Sequence, residues 1–197
     1  MPQLRAIKTP RLFIRPPLVE DSKMLKEAIE DSFTALHQWM PWARMIPSLD
    51  TTRRYLEDCV RIWRAPIAEY DECPMQIMDK RDRYFIGATG FKPHNIELPT
   101  FEVGYWVREK YKGQGYITEA VNGLVRYLFK QYKATRIEIQ CELDNRQSAR
   151  VAERLGFELE AVLKNHRMKP DGSGPTDTLL YVRTNPDGLP ELDVKWY

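Results

Sequence analysis

Cysteine and histidine are scarce in this chain of 197 residues, which has three of each. The cysteines Cys59, Cys73 and Cys141 are odd in number, far apart in sequence and form no C-x-x-C pair. Neither a structural zinc site nor a disulfide framework is therefore expected. Because the histidines are equally scattered, we expect no bound metal.

Long apolar runs and a dominant sign of charge are also missing. No stretch approaches the roughly 18 uninterrupted apolar residues of a membrane-spanning helix, and the first residues lack the apolar run of a secretory signal. The 30 basic and 28 acidic residues give a net charge of +2, which does not favour direct binding of nucleic acid. We expect a cytoplasmic protein without nucleic-acid or membrane partners, in which local geometry binds any anion.

The composition is that of a globular protein, with 43% hydrophobic and 11% aromatic residues. A single core at this length buries roughly 70% of the surface that the unfolded chain exposes. No internal repeat and no linker interrupts the sequence. We therefore expect one domain over residues 1–197, with a core at about 10–184 and a turn-rich tail at 185–197 to which we assign no function.

Two apolar periodicities follow one another along the chain and predict a mixed α/β (α+β) fold. Alternation predicts strands over residues 11–15, 75–78, 84–91, 101–107, 136–141, 157–162 and 179–183. Helical spacing predicts helices beginning near residues 20, 33, 50, 117 and 145. These elements predict a mixed, mostly antiparallel central sheet with helices on both faces and one strand–helix–strand unit in the second half.

A glycine-rich turn, residues 110–115, joins the strand ending near Val107 to the helix starting near Tyr116. Glycines let the backbone approach a ligand closely, and the first N–H groups of a helix are free. The helix dipole favours an anion there, most often a phosphate, and Lys110 and Lys112 add local charge. On the turn alone, a plain connection between strand and helix is an equally good reading.

Two common phosphate motifs are excluded. A P-loop needs Lys and Ser or Thr directly after its last glycine, but Gly115 is followed by Tyr116 and Ile117. A dinucleotide fingerprint needs a third glycine where this chain has Thr118.

The surroundings of the turn resemble the GNAT acetyltransferase superfamily. The matching pieces are Val107, the turn Lys110–Gly115, the Asn-x-x-Ser motif Asn145–Ser148 and the Leu-Gly-Phe motif Leu155–Phe157.

Further sequence motifs resemble the RimJ/RimL branch, the ribosomal-protein N-terminal acetyltransferases. These motifs are Trp39-Met-Pro-Trp42, Phe101-Glu-Val-Gly-Tyr-Trp106 and Gly115-Tyr-Ile-Thr-Glu-Ala120. The likeness extends from Arg11 to about Arg183 and implies the GNAT-like fold.

This resemblance implies acetyl-CoA as co-substrate, with its pyrophosphate bound by backbone N–H groups of the turn. Lys110 departs from the Gln or Arg of the family and keeps the charge without the planar fork. The resemblance assigns the cofactor contacts to Val107, Lys110, Lys112, Gly113, Gln114, Gly115, Tyr116 and Asn145. Asn145 can act as a helix cap at the same time.

The catalytic residues implied by the resemblance are Glu102 and Ser148. Glu102 would act as general base for the acceptor amine, directly or through one water, from a wall made otherwise apolar by Gly104 and Trp106. Ser148 would lie near the acetyl-CoA sulfur and protonate the departing thiolate. The simpler alternatives are an exposed strand glutamate and a serine in the first turn of a helix.

The free energy of deprotonating the amine favours one acceptor class. Deprotonation at pH 7 costs about 1 kcal/mol for a peptide α-amine and about 5 kcal/mol for lysine. We therefore expect acetylation of a protein N-terminus, such as that of a ribosomal protein, by direct transfer in a ternary complex. A covalent route is disfavoured, because Cys141 alternates with core positions and has no histidine nearby in sequence.

Several alternatives stay open at this point. The same chemistry could serve a small amine such as a polyamine, an amino acid or an antibiotic, or the domain could bind acyl-CoA without catalysis. A homodimer is compatible with the resemblance. Phe33, Trp39 and Trp42 could line an acceptor groove, but core or dimer contacts are the more common role of such residues.

Overall fold

The computed structural model describes residues 6–65, 72–95 and 97–197. The first residues, which carry the expectation of no secretory signal, lie outside these ranges. The described strands are β1 (Ile7–Lys8), β2 (Leu12–Arg15), β3 (Cys73–Asp79), β4 (Phe85–Asn95), β5 (Thr100–Val107), β6 (Arg136–Glu142), β7 (Glu158–Met168), β8 (Pro175–Arg183) and β9 (Lys195–Trp196). The described helices are α1 (Ser22–Asp31), α2 (Phe33–Trp39), α3 (Leu49–Ile62), α4 (Tyr116–Gln131) and α5 (Arg146–Arg154).

The described strands form a single sheet in the order β7-β8-β6-β5-β4-β3-β2-β1-β9. Each neighbouring pair is antiparallel except β5 and β6, which run parallel and are connected through α4. This arrangement confirms the predicted mixed, mostly antiparallel sheet and its strand–helix–strand unit.

The parallel contact between β5 and β6 is short. It extends over three pairs, from Thr100↔Arg136 to Glu102↔Glu138, whereas β5 stays paired with β4 as far as Val107. In the described part of the chain, the residues of β5 after Glu102 are therefore paired on one edge only, with β4. The main chain of this half-strand remains available to a ligand at the centre of the sheet.

Helices cover both faces of the sheet, as the alternation along the strands requires. The apolar stripe of α4 packs on one face, against strand residues that include Phe91, Phe101 and Val103. Helices α1, α2 and α3 pack on the other face around Met78 and Phe85. The predicted stripe of α4 is buried throughout, at Ile117, Ala120, Val121, Leu124, Val125 and Leu128, and Tyr132 directly after the helix is buried with it.

Several details differ from the sequence prediction, beginning with β4 and β7, which extend beyond the predicted 84–91 and 157–162 to Asn95 and Met168. The cap of α3 is Ser48, whose Oγ accepts from the Thr51 N–H at 3.0 Å, so this helix begins slightly before the predicted Asp50. The tail contains β9, which pairs with β1 through Ile7↔Trp196. Both β1 and β9 are two residues long, which is too short to show a periodicity, so neither was predicted from the sequence.

No helix in the described ranges is long and apolar enough to span a bilayer.

Candidate active site

The turn before α4 exposes backbone amides to a cavity. Gly113 and Gly115 have φ values of 75° and 79°, in the left-handed region that glycine adopts at little cost. Gly115 is the N-cap of α4, and a Cβ added at Gly113 would meet no atom within 4 Å. The turn therefore combines open space with the free N–H groups of a helix start, which is the geometry that binds phosphate.

This first cavity, the turn cavity, has a volume of about 320 Å³ and lies between the turn, the end of β5 and the start of α5. It brings together seven of the residues predicted from sequence. They are Val107, Lys112, Gly113, Gly115, Tyr116, Asn145 and Ser148.

Two predicted cofactor residues do not line the turn cavity. The Gln114 side chain turns back on the turn and donates to the Lys110 carbonyl at 3.1 Å. The Lys110 ammonium lies 5.0 Å from the ring centre of Tyr111. These two side chains therefore hold the shape of the turn or remain outside the cavity.

The start of α5 carries the polar groups on the opposite wall. Asn145 caps the helix, because its Oδ1 accepts from the Ser148 N–H at 3.1 Å. The Tyr105 hydroxyl lies 3.0 Å from Ser148 Oγ and donates to the Ser148 carbonyl at 3.1 Å. Burial raises the pKa of Tyr105 well above its ordinary value, so the phenol keeps its proton.

Sequence reasoning missed Tyr105 as a site residue. The alternation along β5 does place Tyr105 and Val107 on one face, next to the turn, which was the available signal. The partner Ser148 lies 43 residues further along the chain, so their contact has no local pattern.

Cys141 lies beside this group and is buried, as predicted. Burial raises the pKa of its thiol, and a hydrogen bond with Ser148 opposes that effect. A thiol of this kind is a poor nucleophile at neutral pH, which argues against a covalent acetyl-cysteine route.

A second cavity, the aromatic cavity, lies on the other face of the sheet between strands β3–β5 and helices α1 and α3. Its volume is about 480 Å³, and its walls include Trp42, Met45, Tyr55 and Phe85. A Cβ added at Gly104 would point into open space on its floor. The three residues common to both cavities are Met40, Tyr105 and Trp106.

The early aromatic residues contribute more than sequence reasoning predicted. Trp39 lines the turn cavity and Trp42 lines the aromatic cavity, with 52% of Trp42 exposed. Phe33 instead stacks on His37, with ring centres 5.4 Å apart.

Glu102 lies at the margin of the aromatic cavity without lining it. Its carboxylate is 3.4 Å from His94 Nε2 and 3.8 Å from the Arg167 guanidinium. The expected apolar wall is therefore present only on the side of Gly104 and Trp106. Since Gly104 is two positions along the same strand face, the Cα of Glu102 lies about 7 Å from that of Gly104 on the cavity floor.

A second carboxylate, Glu72, lines the aromatic cavity itself. Desolvation and then the negative charge of Glu102 raise the pKa of Glu72, and Lys92 partly opposes this. No sequence pattern singled out Glu72, because its proximity to Glu102 depends on the packing of the sheet.

Comparisons with known proteins bear on the family and the fold. Residues 11–158 match the family described as acetyltransferase (GNAT) domain. The chain is 32% identical over 161 residues to the ribosomal-protein-serine acetyltransferase of Escherichia coli K12, covering 82% of this chain and 86% of that protein.

Solved structures share the fold. One is RimL, the ribosomal L7/L12 α-N-protein acetyltransferase, in complex with coenzyme A, with a TM-score of 0.80, 22% identity and coverage of 90% and 96% of the two chains. Another is the microcin C7 self-immunity acetyltransferase MccE in complex with acetyl-CoA and AMP, with a TM-score of 0.80, 20% identity and coverage of 89% and 93%.

Proposed function

The chain belongs to the acetyltransferase (GNAT) family, and on that premise we propose that it acetylates the N-terminal α-amine of a ribosomal protein. The acetyl group comes from acetyl-CoA and passes directly to the amine in a ternary complex. We include in this proposal a cytoplasmic location and a homodimer, which the resemblance to the RimJ/RimL branch suggests.

One observation carries the proposal. The turn cavity and the aromatic cavity meet at Met40, Tyr105 and Trp106, beside the half of β5 that, within the described ranges, is not paired with β6. Such an arrangement supports binding of one substrate in each cavity, with the reacting atoms where the two cavities meet. Direct transfer needs no intermediate on the protein in that geometry.

The turn cavity fits acetyl-CoA. The N–H groups of Gly113, Gly115 and Tyr116 would hold the diphosphate, and the free edge of Val107 with the Asn145 amide would hold the pantetheine arm. The open space at Gly113 supports this fit, because any side chain there would fill the approach. When bound, acetyl-CoA supplies the acetyl group as a thioester.

The residues around the meeting point have complementary proton chemistry. Glu102, with Glu72 beside it, takes the proton from the incoming amine, directly or through water. On the other side, Ser148 Oγ would turn its proton from the Tyr105 hydroxyl, 3.0 Å away, to the departing sulfur and stabilise the thiolate by a hydrogen bond. A carboxylate and a hydroxyl thus serve as base and as hydrogen-bond donor to the leaving group.

The aromatic cavity favours an α-amine of a polypeptide. Its volume lies in the ordinary range of ligand sites, and its aromatic walls suit the first side chain and backbone of a peptide better than a bare polyamine. The carboxylates at its end attract the ammonium. The name of the 32% identical relative supports a ribosomal protein as acceptor.

A peptide panel tests the proposal. We expect thiol release from acetyl-CoA with peptides that begin with the N-terminal residues of ribosomal proteins, and none with the same peptides blocked by formylation. Turnover of polyamines or free amino acids alone would contradict the proposal. The readout is thiol release together with the mass of the acetylated peptide.

The variant Gly104→Val separates the two cavities in the same assay. Its side chain would fill the floor of the aromatic cavity without backbone strain. We expect the KM of the peptide to rise about tenfold or more, because the added side chain occupies space that the acceptor would need, with the KM of acetyl-CoA unchanged. An unchanged peptide KM would show that the acceptor does not bind in this cavity.

A further inference from the structure

We infer that Arg11 is a positioning residue for the diphosphate turn: it fixes the backbone conformation in which the amides before α4 face the turn cavity. This inference rests on the proposed function, because it takes the turn at residues 110–115 as the diphosphate site. Arg11 does not line the cavity, so the effect passes through the turn.

Arg11 makes three contacts across the junction between the turn and α4. Its Nε forms an ion pair with Glu119 in the first turn of the helix. Its Nη1 donates to the Gln114 carbonyl at 2.9 Å. Its guanidinium carbon lies 4.5 Å from the ring centre of Tyr116. One planar group therefore fixes residues 114, 116 and 119 relative to one another.

The carboxylate of Glu119 is itself held in place. It is largely buried and accepts from the Thr9 hydroxyl at 2.6 Å and from the Arg11 N–H at 3.0 Å. The turn between β1 and β2 is thereby tied to the start of α4. Arg11 is anchored at its backbone and at its side chain by one carboxylate, which restricts where the guanidinium can lie.

The hydrogen bond to the Gln114 carbonyl has a direct consequence for the amide that follows. In a planar trans peptide, the C=O of one residue and the N–H of the next point in opposite directions. Because Arg11 holds the Gln114 carbonyl on its own side, the Gly115 N–H points away from Arg11. Gly115 lines the turn cavity and Arg11 does not, so this amide is preorganised for an anion.

Arg11 also offsets an unfavourable charge. A carboxylate in the first turn of α4 would repel a diphosphate bound at the same helix start. The ion pair with Arg11 neutralises the negative charge of Glu119 beside the position that the diphosphate would occupy. Geometry and charge thus both favour the bound anion. They predict opposite changes in CoA affinity for Glu119→Gln, which releases Arg11 but removes the repulsive charge.

Three variants separate these contributions. Arg11→Met removes both charge and geometry, whereas Arg11→Lys keeps the charge but cannot make the three contacts of the planar fork. Glu119→Gln releases Arg11 while removing the repulsive charge. Arg53→Met, which breaks an exposed ion pair on α3, is the control for net charge.

Calorimetry with CoA and kinetics with acetyl-pantetheine, which lacks the diphosphate, are the readouts. We expect the Kd of CoA to rise about tenfold in Arg11→Met and nearly as much in Arg11→Lys, as loss of a charge-assisted hydrogen bond predicts. The KM of acetyl-pantetheine and the kcat with either donor should stay within about twofold of the wild type, because the first lacks the diphosphate and the second does not depend on its binding. Glu119→Gln should weaken CoA binding, and Arg53→Met should leave it unchanged.

Four outcomes would overturn the inference. Wild-type affinity in Arg11→Lys, or tighter CoA binding in Glu119→Gln, would reduce the role of Arg11 to charge alone. Equal losses with acetyl-CoA and acetyl-pantetheine would indicate a general structural role. If substitutions at Gly113 weaken CoA binding and those at Arg11 do not, the turn site stands and only this inference fails.

Discussion

The two cavities are built in different ways. The turn cavity is lined mainly by two continuous segments, the turn before α4 and the capped start of α5, and the contacts proposed there for the cofactor come largely from the backbone. The aromatic cavity is formed by side chains from α1, α3, the loop between α2 and α3, and three strands. A backbone site tolerates side-chain change except at its glycines and caps, whereas a side-chain site changes shape with each substitution. We infer that the cofactor side is fixed and that the acceptor side carries the specificity.

The largest expected effect concerns the acceptor side, at Glu102. Replacement by glutamine removes the base, and kcat with a peptide should fall about 100-fold at pH 7, within the range of general base catalysis. The deficit should grow as the pH falls below the α-amine pKa of about 7.8, because the free amine becomes scarce and proton removal limits the rate. Initial rates of thiol release at several pH values measure it.

Glu72→Gln is the matched comparison, since it makes the same change on a neighbouring carboxylate that lines the aromatic cavity. We expect a smaller loss of kcat there and a higher peptide KM. A larger loss in Glu72→Gln would transfer the role of base to Glu72. A ratio of wild type to Glu102→Gln that is independent of pH would contradict proton removal by Glu102.

The next effect concerns the cofactor side, where two glycines form a matched pair. Gly113 and Gly172 have φ values of 75° and 74°, and an added Cβ would meet no atom within 4 Å at either position. Valine costs the same backbone strain at both sites, about 1–2 kcal/mol. Only Gly113 lines the turn cavity, so we expect about a tenfold rise in the Kd of CoA for Gly113→Val and none for Gly172→Val.

Isothermal calorimetry with CoA measures this difference, and thermal melting of both variants checks that their stability losses match. Equal CoA affinity in the two variants would show that the turn does not bind the diphosphate. The backbone character assigned to the cofactor side would then be lost, and with it the contrast between the two cavities.

The same contrast explains how much could be predicted from the sequence. The helix α4 and the Asn145 cap are local features, and both are present in the structure. The turn cavity was predictable because it is assembled from such features. Seven of the residues that line it were identified from the sequence.

Features that depend on distant contacts were not predictable. Arg11 meets Glu119 across 108 residues, and the Tyr105–Ser148 contact and the position of Glu72 also arise only from packing. The expected apolar surroundings of Glu102 were incomplete for the same reason, since His94 and Arg167 come from other strands. Periodicity gives the face on which a side chain lies but not its neighbours from other elements.

The smallest expected effect tests a residue with two roles on the cofactor side. Asn145→Ala removes the cap of α5 and should destabilise the fold by about 1 kcal/mol, which lowers Tm by about 2–4 °C at this chain length. Asn145→Asp keeps a side-chain oxygen for the Ser148 N–H and should retain the stability, but it lacks the amide donor for the pantetheine arm. We therefore expect Asn145→Asp to raise the KM of acetyl-CoA about threefold with the peptide KM unchanged. Melting curves and donor kinetics of the two variants separate the two roles. If Asn145→Asp matches the wild type in both measurements, Asn145 acts only as a helix cap. Cofactor binding would then depend on the turn before α4 and not on the Asn145 side chain.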